Sequence, residues 1–235
     1  MPMRSKKVVL IIVEGPSDET ALRLILEKAF DQSRVFVQVV HGDVTSDDKS
    51  APSNIVKKVN ELIKANMRRN RYARSDLLLV IHLMDTDGAY ISGDAIIEVP
   101  SARRVLYNVT QVIASDKCAL LKRNGRKAAN MDRLATLPQI GGVPYLAVFM
   151  SCNLDHVLHN KVNSSDDEKR RDAFEFAKKY RSDIPAFVDF ISNSDFSVVG
   201  ERGDTWDYIR KDLRSIERHT NMGLCFAAPY AGGGE

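Results

Sequence analysis

Cysteine is scarce in this chain: three among 235 residues, Cys118, Cys152 and Cys225, far apart and odd in number. That excludes a disulfide framework or a clustered zinc site as the organising device, and makes a reducing compartment the default expectation. Charge of one sign is lacking too. Lys and Arg number 34 against 31 Asp and Glu, a net charge of +3, which excludes a histone-like binder working by charge alone but not a local basic groove. No apolar run approaches the ~20 residues that span a bilayer. The opening MPMRSKKVVLIIVEG runs from basic residues through an apolar stretch straight into Glu14, with no small-residue cleavage site. The expectation is a cytoplasmic protein without a membrane partner. There is no G-x-x-x-x-G-K-[ST] stretch, and Gly15-Pro16-Ser17 sets one Gly beside a Pro where a phosphate cradle needs a Gly-rich loop. No internal repeat is present.

What is there is a series of short apolar runs separated by helical patterns, the mark of βα units and a mostly parallel sheet in an α/β fold. Val8 to Val13 is unbroken β-branched residues and Leu, as in a strand covered on both faces. Ser17 is the expected N-cap of the next helix, with Asp18 and Glu19 in its first turn and Ala21, Leu22, Ile25, Leu26 and Ala29 as its buried stripe. Further strands are expected at Phe36 to Val40, Leu77 to Met84 and Tyr145 to Met150. Helices are expected at Asn54 to Arg69 and from Leu154, and Gly42 to Ser53 reads as a polar loop. From about 89 to 142 the pattern loosens into an insertion, with an extended piece at Val105 to Val112 and a basic helical piece around Leu120 to Leu134. From Asn163 the spacing is helical. The chain thus divides into an α/β domain over 1–162 and a helical appendage over 163–235, ending in a frayed AGGGE.

Two places stand out for a physical reason. Glu14 ends the first strand, and Asp85 and Asp87 end the third. Ligands bind at that edge of a parallel sheet because the βα loops converge there. Side chains two apart on an extended segment point the same way, so Asp85 and Asp87 are expected to address one point, with Gly88 permitting the sharp exit. If the first and third strands are neighbours, Glu14 joins them. Three hard oxygen donors with no matching Lys or Arg repel one another, and such a cluster suits Mg²⁺ or Mn²⁺. A lone acidic residue after a strand more often caps the next helix, the role expected of Asp18. His82, within an apolar strand, reads as a satisfied interior residue. His156 and His159 beside Asp155 suggest a metal trio, but they span one helical turn and need not face one point, so zinc is not expected. Trp206, Tyr208, Ile209, Leu213 and Ile216 recur at helical spacing and read as packing residues.

VVLIIVEGPSD at Val8 to Asp18, with VIHLMDTDG at Val80 to Gly88, resembles the two signature motifs of the TOPRIM domain. In that Rossmann-like α/β family a Glu closes the first strand and an Asp-x-Asp closes the third. VEGPSDE at Val13 to Glu19 resembles especially the TOPRIM nucleases of the overcoming-lysogenization-defect (OLD) type and their small stand-alone relatives in phage defence. The resemblance covers Lys6 to Asn160 apart from the insertion. It implies phosphoryl-transfer chemistry on nucleic acid; with no topoisomerase gate domain or primase module in the sequence, hydrolysis of a phosphodiester is the expected reaction. It implies that Glu14, Asp85 and Asp87 are catalytic and hold Mg²⁺ or Mn²⁺, with Asp18 and Asp155 candidates for a second ion. Asp155, in SCNLDHVL, stands where relatives usually carry Glu. Glu14 acting as general acid or base in a one-metal site is the variant of this reading. The OLD-type nucleases carry an ATPase domain that this sequence lacks, so a separate ATPase subunit is an implied partner; self-association is left open.

Basic residues gather at Lys64, Arg68, Arg69, Arg71 and Arg74, and again at Lys122, Arg123, Arg126, Lys127 and Arg133. The second group follows the Asp-x-Asp strand, so Lys122, Arg123, Arg126 and Lys127 are the better candidates for contact with a DNA or RNA backbone, against the alternative of a solvated helix face. Neither group is interleaved with aromatics, which excludes a single-strand stacking platform. A lysine neutralising charge on the phosphate is expected, and nothing singles out Lys161 from the others. Two rivals accompany the nuclease reading: a maturation ribonuclease for structured RNA, and a catalytically silent TOPRIM scaffold that binds nucleic acid or a partner.

Overall fold

Strand β1 (Lys7–Val13) buries six of its seven residues, which is what an unbroken apolar run demands when helices cover both faces. The computed structural model describes residues 7–30 and 35–227; the first six residues and the closing AGGGE lie outside them. After β1 come α1 (Pro16–Ala29), β2 (Val35–His41), α2 (Ile55–Asn70) and β3 (Leu77–Asp85). Short strands β4 (Ile96–Glu98), β5 (Leu106–Tyr107) and β6 (Val112–Ala114) lead to α3 (Lys117–Ala135). A hairpin of β7 (Gln139–Ile140) and β8 (Val143–Met150) precedes α4 (Leu154–His159), α5 (Asp166–Tyr180), α6 (Ile184–Asn193) and α7 (Arg202–Ile209).

The main sheet has the order β2-β1-β3-β8-β7, parallel except for the β7 edge. It is an α/β architecture with a mostly parallel, Rossmann-like sheet flanked by helices. From β1 the chain moves outward to β2, then crosses back to β3. The direction of winding therefore reverses between β1 and β3, and in sheets of this kind ligands bind beyond the carboxyl ends of the strands at that point.

Strand alternation sorts the side chains into two cores. Val9, Ile11, Val13, Ile81, Leu83 and Val148 pack beneath α1, α5 and α6. Val8, Leu10, Ile12, Val80, Met84 and Phe149 pack beneath α2, α3 and α7. Ala21, Leu22, Ile25 and Leu26 are the buried stripe of α1, as the spacing predicts, but the helix begins earlier than expected. Gly15 is the N-cap and Ser17 lies inside the helix. Pro16 takes the first helical position, where a missing N–H costs nothing, and the Asp18 carboxylate accepts the Gly15 N–H at 2.8 Å. His82 is buried with Nδ1 2.8 Å from the Tyr145 hydroxyl; burial lowers its pKa to about 4, so the ring is neutral. No helix among the described residues is long and apolar enough to cross a membrane.

The stretch expected as an insertion has two parts. The extended piece is a hairpin of β5 and β6, with β4 on the other side of β6, over a small cluster of Ile91, Ile96, Val112, Ala114, Leu120 and Ile216. Helix α3 leaves that cluster and returns Met131, Leu134 and Ala135 to the main core. The helices after residue 163 do not stand apart either. Phe176, Tyr180, Phe187 and Ile191 complete one core, and Trp206 and Ile209 the other. The segment after α7 then straps the strand tips. The Ser215 carbonyl accepts from the Thr86 hydroxyl at 2.6 Å and from the Cys152 N–H at 3.0 Å. Asn221 Oδ1 accepts from the Phe149 N–H at 2.9 Å.

Trp206 measures how far this C-terminal region belongs to the fold. Its ring lies edge-on to Phe149 with centroids 5.3 Å apart and is 1% exposed. Trp206→Ala is expected to cost about 3–5 kcal/mol in urea unfolding. A loss below ~1 kcal/mol, the size of an ordinary surface change, would make the region peripheral.

Candidate functional site

Glu14 is the first residue beyond β1, and its side chain turns across to β3. Oε1 accepts from the Asp85 N–H at 3.1 Å, the Thr45 hydroxyl at 3.3 Å and the Lys127 ammonium at 3.4 Å. The same ammonium lies 2.5 Å from Asp87 Oδ2. Glu14 and Asp87, from two neighbouring strand tips, thus share one cation, and that cation is a side chain. Asp85 points elsewhere: its Oδ1 accepts the Leu154 N–H at 3.1 Å at the start of α4.

This corrects two expectations. Asp85 and Asp87 do not address one point through strand alternation, because β3 ends at Asp85 and Asp87 adopts a left-handed backbone with φ 49°. Asp tolerates that region better than most residues. The turn is held by the Asp87 N–H donating to the Cys152 carbonyl at 2.8 Å and the Arg123 guanidinium donating to the Asp87 carbonyl at 2.8 Å. Gly88 makes the exit, with φ 68° and no space for a Cβ, which would sit 2.9 Å from Ile216 Cγ2. The carboxylates also do not lack a basic partner. Lys127 is wholly buried among them, so it is not a surface contact for a phosphate backbone. Of its expected companions, Arg123 holds the Asp87 turn, Arg126 donates to the Ser46 carbonyl at 3.3 Å, and Lys122 is exposed.

A second acidic pair lies beside Asp85. Asp18, besides capping α1, faces Asp155, and Asp155 Oδ2 is 3.2 Å from Lys169 Nζ on α5. Lys161 pairs instead with Asp172 at 2.6 Å. The Lys64 to Arg74 group belongs to the last turn of α2 and the turn before β3, at the opposite edge of the sheet. Among the described residues, no set of three or more His, Cys, Asp and Glu side chains is disposed as a ready metal site. His156 and His159 are no exception.

The resident cations do not balance the acids. Burial pushes the Glu14 carboxyl up to about 8, with Asp43 and Asp87 adding to the shift and Lys127 opposing it. The ammonium is nearer Asp87, and there the balance goes the other way: Lys127 and Arg123 outweigh burial and hold that carboxyl below its usual range. Asp85 is pushed well up by burial and then by Glu14, Asp18 and Asp87. Asp18 is raised to about 6, chiefly by burial. Lys127 is raised because Asp87, Glu14 and Asp43 outweigh its burial. Protons therefore fill a charge deficit at a set of hard oxygen donors. Hard oxygen donors of this kind are the type that Mg²⁺ and Mn²⁺ take, and binding of a metal to carboxylates in general releases their protons.

Lys169, Asp43 and Thr45 are residues that sequence reasoning missed, and Lys127, expected at a nucleic-acid backbone, is instead buried between Glu14 and Asp87. One signal for Lys127 was present. It lies seven residues after Leu120 and seven before Leu134, both buried, and a residue at that spacing shares their face of the helix. No family model, curated protein or solved structure matches the chain.

The raised carboxyls have a measurable consequence. Glu14 binds its proton more tightly folded than unfolded, so between the usual carboxylate range and about pH 8 the folded state holds more protons. Glu14 therefore makes stability fall as pH rises, while His82 and His156, which burial lowers to about 4, make it rise up to about pH 6.5. Above that the two histidines no longer oppose it, and thermal unfolding of the metal-free protein is expected to show a declining Tm from pH 7 to pH 8 and a flatter profile for Glu14→Gln over that window. A wild-type Tm that rises over the window would contradict the assignment.

Proposed function

We propose that the chain is a TOPRIM-type, divalent-metal-dependent nuclease that hydrolyses phosphodiester bonds in DNA or RNA at the carboxyl edge of its parallel sheet. The observation that carries the reading is the approach of Glu14 to the tip of β3, with Glu14 and Asp87 around one cation position and Asp85 adjoining. Glu14, Asp85 and Asp87 would hold Mg²⁺ or Mn²⁺, and Asp18 and Asp155 are available to a second ion. When bound, such an ion would offset charge on the phosphate and lower the pKa of a water it binds.

The chain's own residues have distinct parts. Glu14, with a pKa of about 8 before any ion binds, can hold or release a carboxyl proton near neutral pH. Lys127 and Arg123 keep Asp87 ionised and its turn fixed. The Leu154 N–H orients Asp85. Exposed Lys122 and half-buried Arg126, both on α3, suit a nucleic-acid backbone near this edge. A separate ATPase subunit completes the reading as a partner.

Lys127 also favours a second reading. A buried ammonium already paired with Glu14 and Asp87 is what a catalytically silent TOPRIM scaffold would retain. Cleavage of duplex DNA, single strands and folded RNA in Mg²⁺ and Mn²⁺ decides between the two. Asp85→Asn and Asp87→Asn are each expected to lower the rate by about 10²-fold or more, with the circular dichroism spectrum unchanged. Wild type and variants equally inactive on every substrate would leave the scaffold. Cleavage confined to folded RNA would make the protein a structured-RNA ribonuclease.

A further inference from the structure

We infer that Lys127 is a built-in competitor for the cation position between Glu14 and Asp87, so that its ammonium and a divalent cation are alternative occupants of one place. The inference rests on the metal-centre reading above and adds how that centre is closed when no ion is bound.

Three observations support it. The first is position. Nζ lies 3.4 Å from Glu14 Oε1 and 2.5 Å from Asp87 Oδ2, with no exposed side-chain surface. A divalent ion bridging those two carboxylates needs the same oxygens at about 2.0–2.6 Å. The ammonium and the ion are both positive and would contact the same oxygens, so one must leave for the other to enter.

The second is support. Helix α3 is fastened on both sides of Lys127, by Asn124 Nδ2 donating to the Gly88 carbonyl at 2.9 Å and Asn130 Nδ2 donating to the Thr45 carbonyl at 3.1 Å. The helix therefore delivers the lysine to this place as a fixed feature. The four-carbon stem remains flexible, so the ammonium can withdraw while the helix stays.

The third is a destination. Asn130 Oδ1 is buried and has no hydrogen-bond partner among the described residues. An unused buried acceptor calls for an explanation. Asn130 lies three residues beyond Lys127, and residues at that spacing are neighbours on one helix face. A displaced ammonium can donate to it without crossing into solvent.

The test uses the full chain, metal-free, titrated with Mg²⁺. Lys127→Met, close in shape and uncharged, is expected to bind Mg²⁺ at least tenfold more tightly by calorimetry. In the wild type, the ¹⁵N ammonium resonance of Lys127 is expected to shift during the titration with the calorimetric midpoint. Simple removal of a nearby charge would tighten binding without moving that resonance. Wild-type binding with an unmoved resonance overturns the inference, and so does a folded Lys127→Met that binds no more tightly; both leave the metal centre standing. If Lys127→Met does not fold, the wild-type resonance decides alone. Absence of Mg²⁺ binding to either protein overturns the metal centre and the inference together.

Discussion

The contact between the Lys127 ammonium and the side chains of Glu14 and Asp87 organises the carboxyl edge of the sheet, because it offsets the repulsion between acids brought together from adjacent strand tips. Much of the surrounding structure serves that contact. The small sheet of β4, β5 and β6 carries the chain away from β3 and returns it as α3, whose buried face continues past the site into the main core. Asn124 and Asn130 fasten the helix to the loops after β3 and β2. A region that looked like an ornament on the fold is the support for its most highly charged interior position.

The two acidic groups at this edge are not equivalent. Around Lys127 the ammonium is wholly buried and shared between two carboxyl groups. Around Lys169 the lysine side chain is 35% exposed and touches Asp155 alone, while Asp18 is already engaged in capping α1. Asp85 lies between the groups, repelled by Glu14 and Asp18 alike, and neither lysine is bonded to it. The charge deficit is therefore greatest at the middle of the edge, where the strand order reverses. Left-handed backbone at Asp87 and Cys152 marks the same spot. Conformations of that kind, outside glycine, persist where surrounding hydrogen bonds impose them.

The strands, their parallel arrangement and the first and second helices were legible because each depends on local patterning: β-branched runs for β1 and β3, and period-3.6 stripes in α1 and α2. The neighbourhood of Glu14 and the Asp85–Asp87 turn was legible for a topological reason, since alternating β and α segments bring the first and third strands together. What escaped had a non-local cause. Lys127 shares a helix face with Leu120 and Leu134 and Lys122 does not, but that spacing does not say what the face covers; only the position of α3 against the sheet sets the buried lysine among the carboxylates. Trp206 and Ile209 show helical spacing, but spacing does not say which surface a helix covers, so a part of the core read as an appendage. The left-handed turn at Asp87 overrode the alternation rule because β3 stops one step before the rule would have applied.

The strap formed by Ser215 and Asn221 bears on how the protein comes into being. Thr86, Cys152 and Phe149, at the tips of β3 and β8, wait for backbone and side-chain partners encoded near the far end of the chain. A polypeptide interrupted before Ser215 would already possess every acidic and basic group of the cluster, yet without the ties that hold two of its strand ends in place. Translation emits the amino-terminal region first, so the cluster is among the last features the nascent molecule can finish.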